Sequence, residues 1–182
     1  MLEAGIIRHC APTLAGIKTA NMFSYRFQSI DEMKEELLEA NQKLNEKGVF
    51  VEILRTGESK ALIYVYRKKR LESDFQREGV LELLTDCGYC NCEVKDCLGC
   101  LRSRLFGADF PHEIGLFLGY PFQDVKGFIE EKGQNYKCRG LWKVYGDEDE
   151  TKKLFKKIEK CAEVYGRLFA GGRSITKLTV AA

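Results

Sequence analysis

Charge of one sign is what this sequence most conspicuously lacks. Its 182 residues hold 29 lysines and arginines against 27 aspartates and glutamates, a net of +2. No broad basic field is available for nucleic acid or an anionic membrane surface. No apolar run approaches the roughly 20 residues that span a bilayer. An apolar h-region of the signal-peptide kind is missing from the first residues, so a cytoplasmic protein without a membrane partner is expected. A Walker A loop, a dinucleotide fingerprint, a G-x-S-x-G elbow and an H-E-x-x-H pair are all missing too, and with them the chemistries those motifs carry. Internal repeats, low-complexity segments and long linkers are likewise lacking. Residues 1–182 therefore read as a single domain, long enough to bury a real core.

Cysteine, by contrast, is plentiful, with eight residues. In a reducing compartment these are thiols, metal ligands or redox groups rather than a disulfide framework. Five lie in Cys87-Gly-Tyr-Cys90-Asn-Cys92-Glu-Val-Lys-Asp-Cys97-Leu-Gly-Cys100, which reads as an insertion-like loop at 87–100. Two C-x-x-C pairs let thiolates converge on one tetrahedral ion. Cys87, Cys90, Cys97 and Cys100 are the candidate ligands, with Cys92 as a spare. Zinc and an iron–sulfur cluster are both open as the cofactor. The competing reading is a surface loop of reduced thiols.

Along the chain, Gly5–Cys10 is short and apolar and reads as a strand ending at Ala11-Pro12; residues 11–25 fit a helix or an ordered loop. Ser29 with Glu32 makes a capping box ahead of Ile30, Met33, Leu37, Leu38 and Leu44 at helical spacing, with Gly48 as the stop. The runs 49–54 and 61–66 flank Thr56-Gly57-Glu58-Ser59 and predict a hairpin central to a sheet. Residues 71–84 read as a helix weakened by Gly79. Residues 136–145 read as a strand, and Asp147 caps a strongly amphipathic helix that Gly171-Gly172 ends. Ile175–Val180 alternates like a last strand. The sum is an α+β fold, with a mainly antiparallel or mixed sheet of about four or five strands against five or six helices.

The stretch Phe110-Pro-His-Glu-Ile-Gly-Leu-Phe-Leu-Gly-Tyr-Pro121 organises the rest. Pro111 suits a helix start, Gly119 a helix end, and Pro121 opens a second helix through Glu131. Together with Cys10-Ala-Pro-Thr-Leu-Ala-Gly-Ile-Lys18, Tyr66-Arg67 and Trp142-Lys-Val-Tyr-Gly-Asp147, it makes the chain resemble domain-of-unknown-function family 3793, bacterial proteins common in anaerobic clostridia and their relatives. The resemblance covers essentially the whole length. It implies that Cys10, Lys18, Arg67, His112, Glu113 and Tyr120 match family motifs, whereas the cysteines between 87 and 100 do not.

Three other constellations bear on chemistry. Cys10 with His112 (or His9) would make a thiol nucleophile activated by an imidazole; the alternative is that Cys10 is a buried small hydrophobe. Glu113 adjoins His112, and adjacent helical side chains point about 100° apart, so Glu113 is expected to serve another partner. Lys18, Arg67 and Arg173 would supply cations for an anionic small molecule between Tyr66 and Tyr120. The helices after Pro111 and Pro121 have helix-turn-helix spacing, but Gln123, Asp124, Lys126, Glu130 and Glu131 would form an acidic recognition face, which opposes DNA binding. The favoured reading is a small-molecule-binding protein or enzyme whose site uses the Cys10–Lys18 segment, Arg67, Glu113, Tyr120 and His112. A metal or redox module at Cys87–Cys100 is the alternative.

Overall fold

The computed structural model describes residues 1–90 and 93–181. Among these, β1 (Ala20–Arg26), β2 (Val49–Thr56) and β3 (Lys60–Arg67) form an antiparallel sheet in the order β1-β3-β2. The expected hairpin is present, with Val49 opposite Arg67 and Thr56 opposite Ala61. Only β3 is central; β2 is an edge. Ala61, Ile63 and Val65 of β3 enter one core, while Leu62, Tyr64 and Tyr66 enter the other. Both faces are buried, which is why this run reads as almost continuously apolar.

Helices cover each face. On the first lie α1 (Leu2–Leu14), α2 (Ile30–Leu44), α8 (Glu148–Ala170) and α9 (Ile175–Leu178); on the second lie α3 (Lys68–Phe75), α4 (Val80–Asp86), α5 (Val94–Arg104), α6 (Ile114–Phe117) and α7 (Phe122–Glu130). A separate hairpin, β4 (Cys138–Arg139) and β5 (Lys143–Val144), packs beside α7. The α+β class holds, but the strands divide into sheets of three and two. The predicted caps are in place. The Ser29 hydroxyl accepts from Glu32 N at 3.4 Å, and the Asp147 carboxylate from Glu150 N at 2.9 Å. Among the described residues, no helix is long and apolar enough to cross a membrane.

Several local expectations need correction. Residues 5–10 are not a strand but the middle of α1, whose buried Leu2, Ile6, Ile7, Cys10, Ala11 and Leu14 form a helical stripe. Pro12 sits in its last turns without ending it. The terminal alternation at 175–180 is likewise helical: Ile175 and Leu178 are buried three apart, and Ser174 caps the turn. Gly79, at φ 78°, does more than weaken a helix; it separates α3 from α4. The long strand at 136–145 is two short strands joined through Gly140, Leu141 and Trp142. Half of the expected cysteine loop is helix, because α5 begins at Val94.

Candidate functional site

The proline-bracketed motif folds as a turn and the short helix α6, packed very closely against α7, which Pro121 caps. A Cβ on Gly115 would lie 2.7 Å from the Val125 side chain, so α6 and α7 could not approach as they do with alanine there. Gly119 turns the chain at φ 69°, a conformation that favours glycine, and a Cβ there would come 2.5 Å from Thr19 Oγ1. The turn delivers the Tyr120 ring onto Trp142, with centroids 4.4 Å apart and planes at 21°. Trp142 Nε1 donates to Asp124 Oδ2 at 2.7 Å, while Tyr145 N and Gly146 N donate to Asp124 Oδ1 at 2.8 and 2.7 Å. Asp124 is thus a buried latch between α7 and the β4–β5 hairpin, not a member of an exposed recognition face.

Between that hairpin and the two helices opens a cleft of about 340 Å³. Tyr120, Trp142, Phe128, Phe110 and the imidazole of His112 line it, with Arg139 and Lys143 as its cations. The His112 ring lies 4.9 Å from Phe128 and 5.8 Å from Phe110. Lys143 Nζ donates to Gly133 O at 2.6 Å and stands 4.9 and 5.6 Å from the Tyr136 and Phe128 ring centroids. Among the described residues Asp124 is the one carboxylate of the lining, and its charge is compensated by three N–H donors. Burial raises the pKa of Tyr120, keeping its phenol neutral. The cleft therefore offers flat apolar walls and positive charge.

The amino-terminal candidates lie elsewhere. Cys10 is fully buried in the first-face core with Ile6, Ile7 and Leu14, and it does not line the cleft on which exposed His112 sits. Burial pushes its thiol pKa far up, only partly opposed by the charge of Lys18. Cys10 and His112 are not brought together: Cys10 is enclosed in the core on the first face of the sheet, while His112 is exposed at the cleft formed by the helices of the second. His9 stacks on Phe23 at 5.0 Å. Lys18 is buried, donates to Ala20 O at 2.7 Å and lies 4.8 Å from the Tyr120 centroid. Its pKa is lowered to about 8 by burial. Arg67 donates to Thr13 O, Leu14 O and Val180 O at 2.6–2.8 Å, tying the end of α1 to the segment after α9. The Tyr66 hydroxyl is held on Glu52 at 2.6 Å, and Arg173 is exposed beside Gly172.

A family model for proteins of unknown function, DUF3793, matches residues 6–179. The chain belongs to the DUF3793 family. No curated protein and no solved structure matches it. Within this DUF3793 fold, Glu113 serves another partner, as its place beside His112 predicts. Its Oε1 accepts from Tyr89 OH at 3.0 Å and from Arg104 Nε at 2.5 Å, all on the α5 side. Glu113 is therefore buried away from the cleft that His112 faces.

The DUF3793 cysteine segment is split between a turn and a helix. Cys90 is exposed, Cys87 and Cys100 are half-buried, and Cys97 is buried on α5. Cys92 lies outside the described residues. Among the described residues, no group of three or more His, Cys, Asp or Glu side chains is arranged to hold a metal ion. Sequence reasoning missed Phe110, Phe128, Trp142, Arg139 and Lys143 as lining residues. Trp142 and Lys143 stood in a quoted motif, but a continuous strand over 136–145 gave no reason to turn them toward α7.

Proposed function

We propose that the cleft between α6–α7 and the β4–β5 hairpin binds a small, planar organic anion. The observation that carries this reading is the combination of aromatic walls with two cations and a single, internally compensated carboxylate. Stacked rings reward a flat ligand, and guanidinium and ammonium groups reward a carboxylate or phosphate. A volume of about 340 Å³ is at the small end of the range typical of such sites. Of the residues expected at the site, Tyr120 and His112 line this cleft, while Lys18 supports Tyr120 from behind. Arg139 and Lys143 take the electrostatic part first given to Arg67 and Arg173.

Trp142 is the sole tryptophan, so it reports on the cleft directly. Aromatic carboxylates, flavins and nucleotides, each paired with a neutral flat analogue, should be titrated against its fluorescence and against thermal unfolding. The anionic member of an active pair should quench Trp142 and raise the Tm. Arg139→Ala with Lys143→Met should weaken that ligand about tenfold or more. Equal response to neutral analogues, or binding indifferent to both substitutions, would remove the anion from the proposal. No response from any pair would remove the cleft.

A further inference from the structure

The turn between α4 and α5 carries an arrangement that the cleft does not use. Cys90 Sγ and Cys100 Sγ both point at one oxygen, Gly88 O, at 3.7 and 3.9 Å. One thiol comes from the exposed turn, the other from the middle of α5, and neither is bridged. Gly88 permits this by turning at φ 90°, with open space around it. Of the neighbouring thiols, Cys97 is in the core beside Leu98 and Leu101, and Cys87, half-buried like Cys100, packs against the same core. From this convergence we infer that Cys90 and Cys100 are a redox-active dithiol that closes to a disulfide and reopens.

The oxidant is a hydroperoxide. The Cys90 thiolate attacks the distal peroxide oxygen, breaking the O–O bond and leaving a sulfenic acid and an alkoxide or hydroxide, which takes up a proton. Cys100 sulfur then attacks Cys90 sulfur; the S–O bond breaks and water departs with the Cys100 proton. Two thiols are oxidised by two electrons, and the peroxide is reduced to an alcohol or water plus water. Exposed Cys90 is the peroxide-facing member and sheltered Cys100 the resolving one. A dithiol reductant reverses the step. Closure would tie the turn after α4 to α5, the helix whose Arg104 holds Glu113.

The test uses the full chain, reduced and then treated with one equivalent of cumene hydroperoxide. Of its eight cysteines, the expected result is loss of two titratable thiols, restored by a dithiol, with peptide mapping placing the bond between Cys90 and Cys100. Cys90→Ser, a change at an exposed position, should retain all of its remaining thiols. Cys100→Ser should leave a sulfenic acid on Cys90 that a cyclic diketone traps. A bond mapped to Cys87, Cys92 or Cys97, or thiol loss undiminished in Cys90→Ser, overturns the assignment. So does one equivalent of zinc or iron in the purified protein that shields Cys90 and Cys100 from peroxide. The cleft proposal is read by Trp142 quenching, so either can fail without the other.

Discussion

Two regions that carry family motifs make an instructive contrast. In the Cys10–Lys18 segment with Arg67, the polar and reactive groups face inward. Cys10 is packed in a core, Lys18 is bound to Ala20 O, and Arg67 closes the end of α1. In the stretch from Phe110 to Pro121, His112 and Tyr120 face an open cleft beside Trp142. The same kinds of side chain thus do different work. In the first stretch they hold the fold together; in the second they are free to meet a ligand. A motif residue's chemistry is decided by whether its side chain is packed inward or opens on the cleft, as the neighbours Glu113 and His112 show within one stretch.

Substitutions can break or sharpen that contrast, and the largest effect belongs to Arg67. Arg67→Met removes the charged hydrogen bonds to the carbonyls of Thr13, Leu14 and Val180, the first two of which keep the Gly16 and Val180 amides as donors, and the expected loss is about 4 kcal/mol in chemical denaturation. A loss under about 1 kcal/mol together with weakened ligand binding would return Arg67 to the site.

Lys18 comes next. Its folded pKa, lowered to about 8, lies below its unfolded value, so the unfolded chain holds more protons between the two. Stability should then rise with pH through that window, by about 2–3 kcal/mol between pH 8 and 10.5 relative to Lys18→Met, which lacks the titration. Parallel pH profiles for the two proteins would show that Lys18 is not desolvated as described.

A smaller effect is expected at Cys10. Cys10→Ala should cost about 1 kcal/mol and leave Trp142 quenching by the cleft ligand unaltered. Abolished binding with intact stability would restore the thiol as a functional group. Smallest in stability is His112→Ala, within about 0.5 kcal/mol of the parent because the side chain is exposed. Its ligand affinity should nonetheless fall several-fold, and unchanged affinity would take His112 out of the cleft's working surface.

Much of the architecture was legible because it rests on local rules. The Ser29 and Asp147 caps, the stop at Gly48, the β2–β3 hairpin and the period of α8 each need only a few neighbouring residues. The errors came where a local signal competed with a tertiary one. Pro12 suggested an end to a segment that is helical through Leu14, and Ile175–Val180 is too short for its alternation to outweigh the buried pair Ile175 and Leu178. For the site, the turn at Gly119, the helix after Pro121 and the divergence of His112 and Glu113 were readable, but Pro111 does not begin a helix, since α6 runs only from Ile114 to Phe117. The cleft's other wall was not. It depends on Asp124 reaching Trp142 across 18 positions of sequence, a contact that no periodicity encodes.

The divergence of His112 and Glu113 also has a mechanical side. One residue stands in the mouth of the cleft, while the next is moored to Arg104 and Tyr89. A planar peptide joins them and cannot stretch. The imidazole's position is therefore set from behind, by an anchor in α5, and Arg104→Ala should loosen the His112 backbone without touching any group in the cleft. Amide exchange at Ile114 and Gly115, faster in that variant than in the parent, is where the slack would first be visible.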